Sequence, residues 1–202
     1  MHRPTTRRDL IRTGIVGAAA AVAGGAALRD ASIAEADILG DAHGDAAVLE
    51  RIVAIEQLIT FAYDHVISRI PLSPKAAALV RSFASQEREH VRLLSRALRD
   101  LGHAPPSAPT DVDSVSRQLA ALHGSGSLTS FVRQVGALEY LIGIETVAES
   151  AYYTATSKLS DPSLVVLATG ILGCEAQHWT GLEELLHPGD ITQTVPYSTV
   201  HG

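Results

Sequence analysis

The sequence predicts an all-α protein: a four-helix bundle of two helical hairpins joined by a long crossover. Three observations carry this. The composition is rich in Ala and Leu and only 4% aromatic, which suits helices better than sheets. Four apolar-periodic stretches are each long enough to cross a domain. Two of them open on a capping residue followed by proline, Ser73-Pro74 and Asp161-Pro162. At 202 residues, 46% of them hydrophobic, the chain can enclose one substantial core and is short for two.

The bundle is assigned to residues 37–187. Its first helix runs from about Ala46 to Ile70 and is stopped by Pro71. The second opens at Ser73-Pro74, where the serine can accept from free first-turn amides and proline fits the first helical position. It continues to Leu101, with Gly102 as the C-terminal cap. The third spans Ser127 to Leu159, and the fourth runs from Asp161-Pro162 to about Leu186, before Pro188. Between the hairpins lies Gly102 to Gly126, beginning with the Pro-rich run Ala104 to Pro109. A connection this long is expected where the chain must cross the length of the structure. Val112 to His123 is read as a short helix on the way. Residues 188–202 lack helical periodicity and are read as a tail.

The net charge is −6, and the arginine-rich first 36 residues leave a still more acidic remainder. Nucleic acid and anionic membrane surfaces reward Lys/Arg clusters that this chain lacks, so neither is expected as a partner. Cys174 is the single cysteine and forms no internal disulfide. Residues 1–36 carry the pair Arg7-Arg8 ahead of an uncharged run rich in Ala and Gly, Ile15 to Leu28. That run is shorter than the roughly 20 apolar residues of a spanning helix. The segment resembles a twin-arginine signal peptide, with Ala34-Glu35-Ala36 as a small-x-small cleavage site and no cysteine for lipid attachment. The resemblance implies passage through the twin-arginine translocase and a periplasmic, cell-envelope or extracellular location.

The chemistry is concentrated in two matched motifs. Glu87-Arg88-Glu89-His90 in the second helix and Glu175-Ala176-Gln177-His178 in the fourth each set a carboxylate and an imidazole three residues apart. That spacing brings both to nearly one helical face, where they can bind one metal or adjacent metals. The first helix adds Glu56 with Tyr63 seven residues on, and the third adds Glu145 with Tyr152 at the same offset. Seven residues is two turns, so each tyrosine lies on the stripe of its own glutamate. Pro74 precedes Glu87 by 13 residues and Pro162 precedes Glu175 by 13, while Glu56 and Glu145 lead their motifs by 31 and 30. Two hairpins built to one plan imply a pseudo-twofold site at their interface.

Together Glu56, Tyr63, Glu87, His90, Glu145, Tyr152, Glu175 and His178 resemble the ferritin-like di-iron carboxylate superfamily, which includes ferritins, bacterioferritins and rubrerythrins. The resemblance covers about Ala46 to Leu186. It implies a ligand set of one Glu from each of two helices and Glu-x-x-His from the other two: Glu56, Glu87, His90, Glu145, Glu175 and His178. It further implies two iron ions, manganese being the alternative, and O2 or peroxide as the small-molecule substrate. Four carboxylates and two neutral imidazoles offset two divalent cations, and ligation rich in oxygen suits iron or manganese more than structural zinc. Glu87 and Glu145, on different hairpins, are candidates to bridge the metals. Tyr63 and Tyr152 are candidates to hydrogen-bond the ligating carboxylates or relay an electron. The leader and the Pro-rich crossover depart from cage-forming ferritins, which leaves shell-type storage unsupported and a homodimer open. An oxidase or peroxide-scavenging enzyme, a manganese catalase-like enzyme, and a metal-binding or stress-protection protein acting through a surface all remain on this reading.

Plainer readings compete at several positions. Glu-x-x-His also arises from surface salt bridging, but Glu56 within Ile52 to Phe61 and Glu145 within Tyr140 to Val147 sit in apolar settings, where unpartnered charge is costly. Glu184-Leu185-Leu186-His187 is a third match. It begins nine residues after Glu175, half a turn away around the helix, and so points out of the bundle. Glu149, one turn from Glu145, is a candidate extra ligand. Glu89 reads as solvated, Glu139 as turned well away from Glu145, Cys174 as a small buried residue, Trp179 as packing and His65 as structural or exposed.

Overall fold

Capping and proline signals set the hairpins. The computed structural model describes residues 38–121 and 127–194. The expected leader, its arginine pair and its cleavage site lie outside these residues. Helix α1 is Asp45–Arg69, α2 Pro74–Asp100, α3 Val112–Ala121, α4 Gln134–Lys158, α5 Pro162–Leu186 and α6 Ile191–Thr194. Ile70 turns extended ahead of Pro71 (φ −107°, ψ 128°), as the residue before a proline tends to. Ser73 Oγ accepts from the Ala76 amide at 3.3 Å and Asp161 Oδ1 from the Ser163 amide at 2.8 Å, with Pro74 and Pro162 inside the first turns. At the end of α2, Gly102 adopts φ 84° while the His103 amide donates back to the Leu98 carbonyl at 3.1 Å, the left-handed closure that glycine favours.

Packing is closest within each hairpin, α1 on α2 and α4 on α5. Helix α1 also lies along α4, whereas α2 and α5 touch only sparsely. The central pair is apolar nearly all round, with Ile52, Ile55, Leu58 and Ile59 of α1 and Leu141, Ile144, Val147 and Ala148 of α4 all buried, as expected of helices enclosed by others. The ends are tied reciprocally. Asp45, at the start of α1, accepts from the Ser160 and Asp161 amides of the α4–α5 turn at 2.7 and 3.0 Å. Gln134, at the start of α4, accepts from the Ser73 amide of the α1–α2 turn at 2.7 Å. The crossover is held on α1 by the Gln57 amide, which donates to the Pro106 carbonyl at 3.0 Å, and Val115 and Leu119 of α3 are buried. No described helix is long and apolar enough to cross a membrane.

Two boundaries differ from the sequence reading. Helix α4 starts at Gln134 rather than Ser127. The Ser127 carbonyl accepts from the Ser130 amide at 3.0 Å and its hydroxyl from the Thr129 amide at 3.2 Å, local bonds that compete with helix formation. Phe131 then folds back over Gly136, where a Cβ would come within 2.8 Å of its side chain, and packs on Tyr140. In the expected tail, Asp190 accepts from Thr192 N at 3.0 Å and starts the single turn α6, too short for periodicity to reveal.

Removing the α2 cap with Ser73→Ala should lower stability by about 1 kcal/mol, the usual worth of an N-cap side chain. Urea unfolding of the two proteins measures it, and coincident curves would show that the cap is idle.

Candidate metal centre

Each long helix delivers one part of the cluster. Glu56 on α1, Glu87 on α2, Glu145 on α4, Glu175 on α5 and His178 on α5 are 0% exposed, and His90 on α2 is 5% exposed. Their ligating atoms form two overlapping quartets, each with all atoms within 4.8 Å of one another: Glu56, Glu87, His90 and Glu175, and Glu87, Glu145, Glu175 and His178. All six sequence-predicted ligand candidates therefore meet at one place. The carboxylates common to both quartets are Glu87 and Glu175; of the two bridging candidates read from the sequence, Glu87 belongs to both quartets and Glu145 to one. Glu87 and Glu175 lie on the two motif helices, while Glu56 on α1 and Glu145 on α4 each complete one quartet.

Each imidazole reaches across to the other motif. His90 Nδ1 is 2.9 Å from Glu175 Oε1, 3.5 Å from Glu87 Oε2 and 3.6 Å from Glu56 Oε2. His178 Nδ1 is 2.6 Å from Glu87 Oε1, 3.5 Å from Glu175 Oε2 and 3.7 Å from Glu145 Oε1. The tyrosines cross over as well. Tyr63 donates to Glu145 Oε1 and Tyr152 to Glu56 Oε1, so each holds the carboxylate of the opposite hairpin rather than the one on its own stripe. The register between α1 and α4 decides this pairing, and spacing within a helix carries no record of it.

Gln86 was not singled out by its sequence. Its Oε1 lies 2.7 Å from His178 Nε2, with Cys174 Sγ 3.4 Å from the same nitrogen, so the ring's Nδ1 is turned to the centre in the way a metal-bound histidine is oriented by its outer nitrogen. Its only sequence signal is adjacency to Glu87. Glu149 is 3% exposed with Oε1 unpartnered among the described residues, but it belongs to neither quartet. The third motif lies off the site: the Glu184 carboxylate accepts from the Gly189 amide at 3.1 Å and His187 Nε2 lies 3.6 Å from Glu183. Glu89 is exposed and paired with Arg92, while His65 and Trp179 are half-buried and His65 belongs to neither quartet.

The electrostatics are those of a site short of positive charge. Burial, then the neighbouring Glu175 and Glu87, pushes both Glu56 and Glu145 well above the usual carboxylate range. Burial and Glu175 push Glu149 up to about 7. Burial opposes charge on His178, yet bonds to Glu175 and Glu87 raise it to about 9. His90 is likewise raised by Glu175, Glu56 and Glu87 against burial. Glu175 is driven up by burial but held down at about 2 by His178 and His90. Both oxygens of Glu87 and Glu175, one each of Glu56 and Glu145, and Nδ1 of both histidines have no aligned hydrogen-bond partner among the described residues. Buried polar atoms left this way are costly, and lone pairs converging on one spot are what a cation satisfies. The donor set, mostly carboxylate oxygen with two imidazole nitrogens, fits iron or manganese. The cluster can hold metal ions.

Comparison with known proteins agrees with this geometry. A ferritin-like domain model matches residues 44–188, well over half the chain. The chain belongs to the ferritin-like domain family. No curated protein matches it. Among solved structures, this ferritin-like domain is similar to a dodecameric thioferritin, the bacterioferritin-related protein from Bacteroides fragilis. The TM-score is 0.56 and the identity 18%, over 74% of this chain and 90% of that one. At that identity the likeness concerns the fold.

The shifts set a pH dependence. A group whose folded pKa lies above its unfolded one adds stability below the unfolded value and loses it as pH rises through the folded value. Glu56, Glu145, Glu149, His90 and His178 are all raised. Glu175 is depressed, so its contribution is already complete above the ordinary carboxylate range. The Tm of chelator-treated protein should therefore fall between about pH 5 and about pH 8, and fall less with divalent metal present, because the ions take the place of the protons. Thermal scans across that window check it; a rising Tm would contradict the assignment.

Proposed function

We propose that this ferritin-like protein holds two metal ions, iron in the first instance, and oxidises Fe(II) with O2 or peroxide as the electron acceptor. One observation carries the reading: two buried quartets that share Glu87 and Glu175. Glu87 and Glu175 would each be within reach of two ions, with Glu56 and His90 holding one and Glu145 and His178 the other. When bound, two ferrous ions supply two electrons, which with two protons take O2 to hydrogen peroxide, or peroxide to water.

The protein's own part is positioning and insulation. Tyr63 and Tyr152 donate to Glu145 and Glu56 and orient their second oxygens. Burial, then the neighbouring carboxylates, raises both phenols well above their ordinary range, so they remain neutral donors at working pH. Gln86 fixes the ring of His178. Burial keeps a proton on Glu149 until about pH 7, beside Glu175 and within the core. Val147, Ala148, Ile55 and Ile59 are buried on the helices that carry Glu145 and Glu56, and keep bulk water from the centre.

The remaining elements of the proposal concern where and with what the protein works. The Arg7-Arg8 pair and the mild apolar run after it support export by the twin-arginine translocase to the periplasm, envelope or exterior. The dodecameric state of the thioferritin supports self-association, read by light scattering on the purified protein.

Co(II) titration followed by visible absorbance should give about two ions per chain, the number this ligand pattern takes. Glu56→Gln and Glu145→Gln should each leave one strong site, whereas Glu87→Gln or Glu175→Gln should weaken both by at least about tenfold. Equal effects from all four variants would mean that no carboxylate is shared. For the activity, protein loaded anaerobically with ferrous iron is mixed with oxygenated buffer in a stopped-flow instrument. A ferric absorbance transient is expected, and its absence would leave a protein that keeps metal without oxidising it.

A further inference from the structure

The two halves of the centre are built to one plan but finished differently. Adding 88 to a residue number carries α2 onto α5: Pro74 onto Pro162, Glu87 onto Glu175 and His90 onto His178. The same shift pairs Phe83 with Ile171, and Leu93 with Gly181. These two pairs flank the two histidines.

On the His178 side the space is filled. The Phe83 ring lies against the imidazole, with centroids 4.3 Å apart, and occupies the notch left by Gly181, where a Cβ would come within 2.7 Å of Phe83 Cζ. His178 is 0% exposed. On the His90 side, Ile171 stands where Phe83's counterpart would be and does not reach as far. A groove of about 380 Å³ opens there between α2 and α5, lined by His90, Leu93, Val166, Gly170 and Ile171, with Gln86 and Glu89 at its polar side. His90 is the most exposed of the six clustered residues, at 5%. The groove coincides with the sparse contact between α2 and α5. Its walls are largely apolar, so they offer a small solute a path without holding it.

We infer that the two metal positions are unequal: the one at Glu56 and His90 exchanges with solvent through the α2–α5 groove, while the one at Glu145 and His178 is sealed by Phe83. This rests on the two-ion reading above. Phe83 acts by closing one face, and Ile171 and Gly170 act by leaving the other open.

The test uses protein loaded with Co(II) and challenged with excess EDTA, with loss of cobalt absorbance followed in time. Release should occur in two phases, the first faster by about tenfold or more, which is a barrier difference well within what one side chain controls. Gly170→Leu, at a position where an added Cβ meets nothing within 4 Å, should slow the first phase at least about fivefold. Ile171→Phe should do the same, while Phe83→Ile should speed the second phase. Gly173→Leu adds the same side chain at another open position outside the groove lining and should leave both phases unchanged. Failure to load about two Co(II) per chain overturns the two-ion reading itself. Two ions leaving in one phase, or a first phase indifferent to Gly170→Leu, overturns the inequality alone.

Discussion

Four carboxylates and two imidazoles are buried together at the centre of an otherwise apolar bundle, and their mutual repulsion and lost hydration are the constraint the rest of the fold answers. An isolated buried carboxylate costs several kcal/mol even after relaxation. Six ionisable groups in contact are tolerable only if protons, aligned donors or cations offset the charge. The structure supplies some of each. The tyrosines donate, the histidines are held toward their charged forms, and Glu56 and Glu145 are pushed toward their neutral ones. Several oxygens still face inward without an aligned donor, and that residue of unsatisfied charge makes metal the natural occupant.

Holding such a cluster requires rigid elements from four directions, which a helical bundle provides. The reciprocal ties of Asp45 to the α4–α5 turn and Gln134 to the α1–α2 turn fix how far α1 and α4 slide along each other. That register in turn sets which glutamate each tyrosine meets. The pseudo-twofold relation keeps the six clustered side chains equivalent, but the residues around them depart from it. Phe83 and Gln86 on α2 are answered on α5 by Ile171 and Cys174, so one imidazole is packed and oriented while the other borders a groove. The two quartets thus share one plan but have different surroundings.

Much of the site was legible in the linear chain because its clustered side chains lie on helices, where a separation of three or seven residues maps directly onto a shared face. The paired prolines before Glu87 and Glu175 made the two motifs mutually supporting. The start of α4 was less legible, because Ser127 and Ser130 satisfy each other locally through bonds that apolar periodicity does not register. Gln86 and the Phe83–Gly181 contact were hidden for a different reason: an exposed glutamine and a mid-helix glycine have many ordinary roles, and only a facing helix gives them this one.

By itself the sequence determined the helical class, the two hairpins and the long crossover, through local capping, periodicity and spacing within a single helix. Spacing also gave the two Glu-x-x-His pairs, while the full set of six that meets at the centre came from the resemblance to ferritin-like di-iron proteins. Only the tertiary structure decided that Glu87 and Glu175 are the shared carboxylates, that Tyr63 and Tyr152 bond across the hairpins, and that His90 rather than His178 borders an opening. Those are relations between helices, set by their axial register and by the volume of side chains facing one another across the gap. No spacing along one helix encodes either quantity.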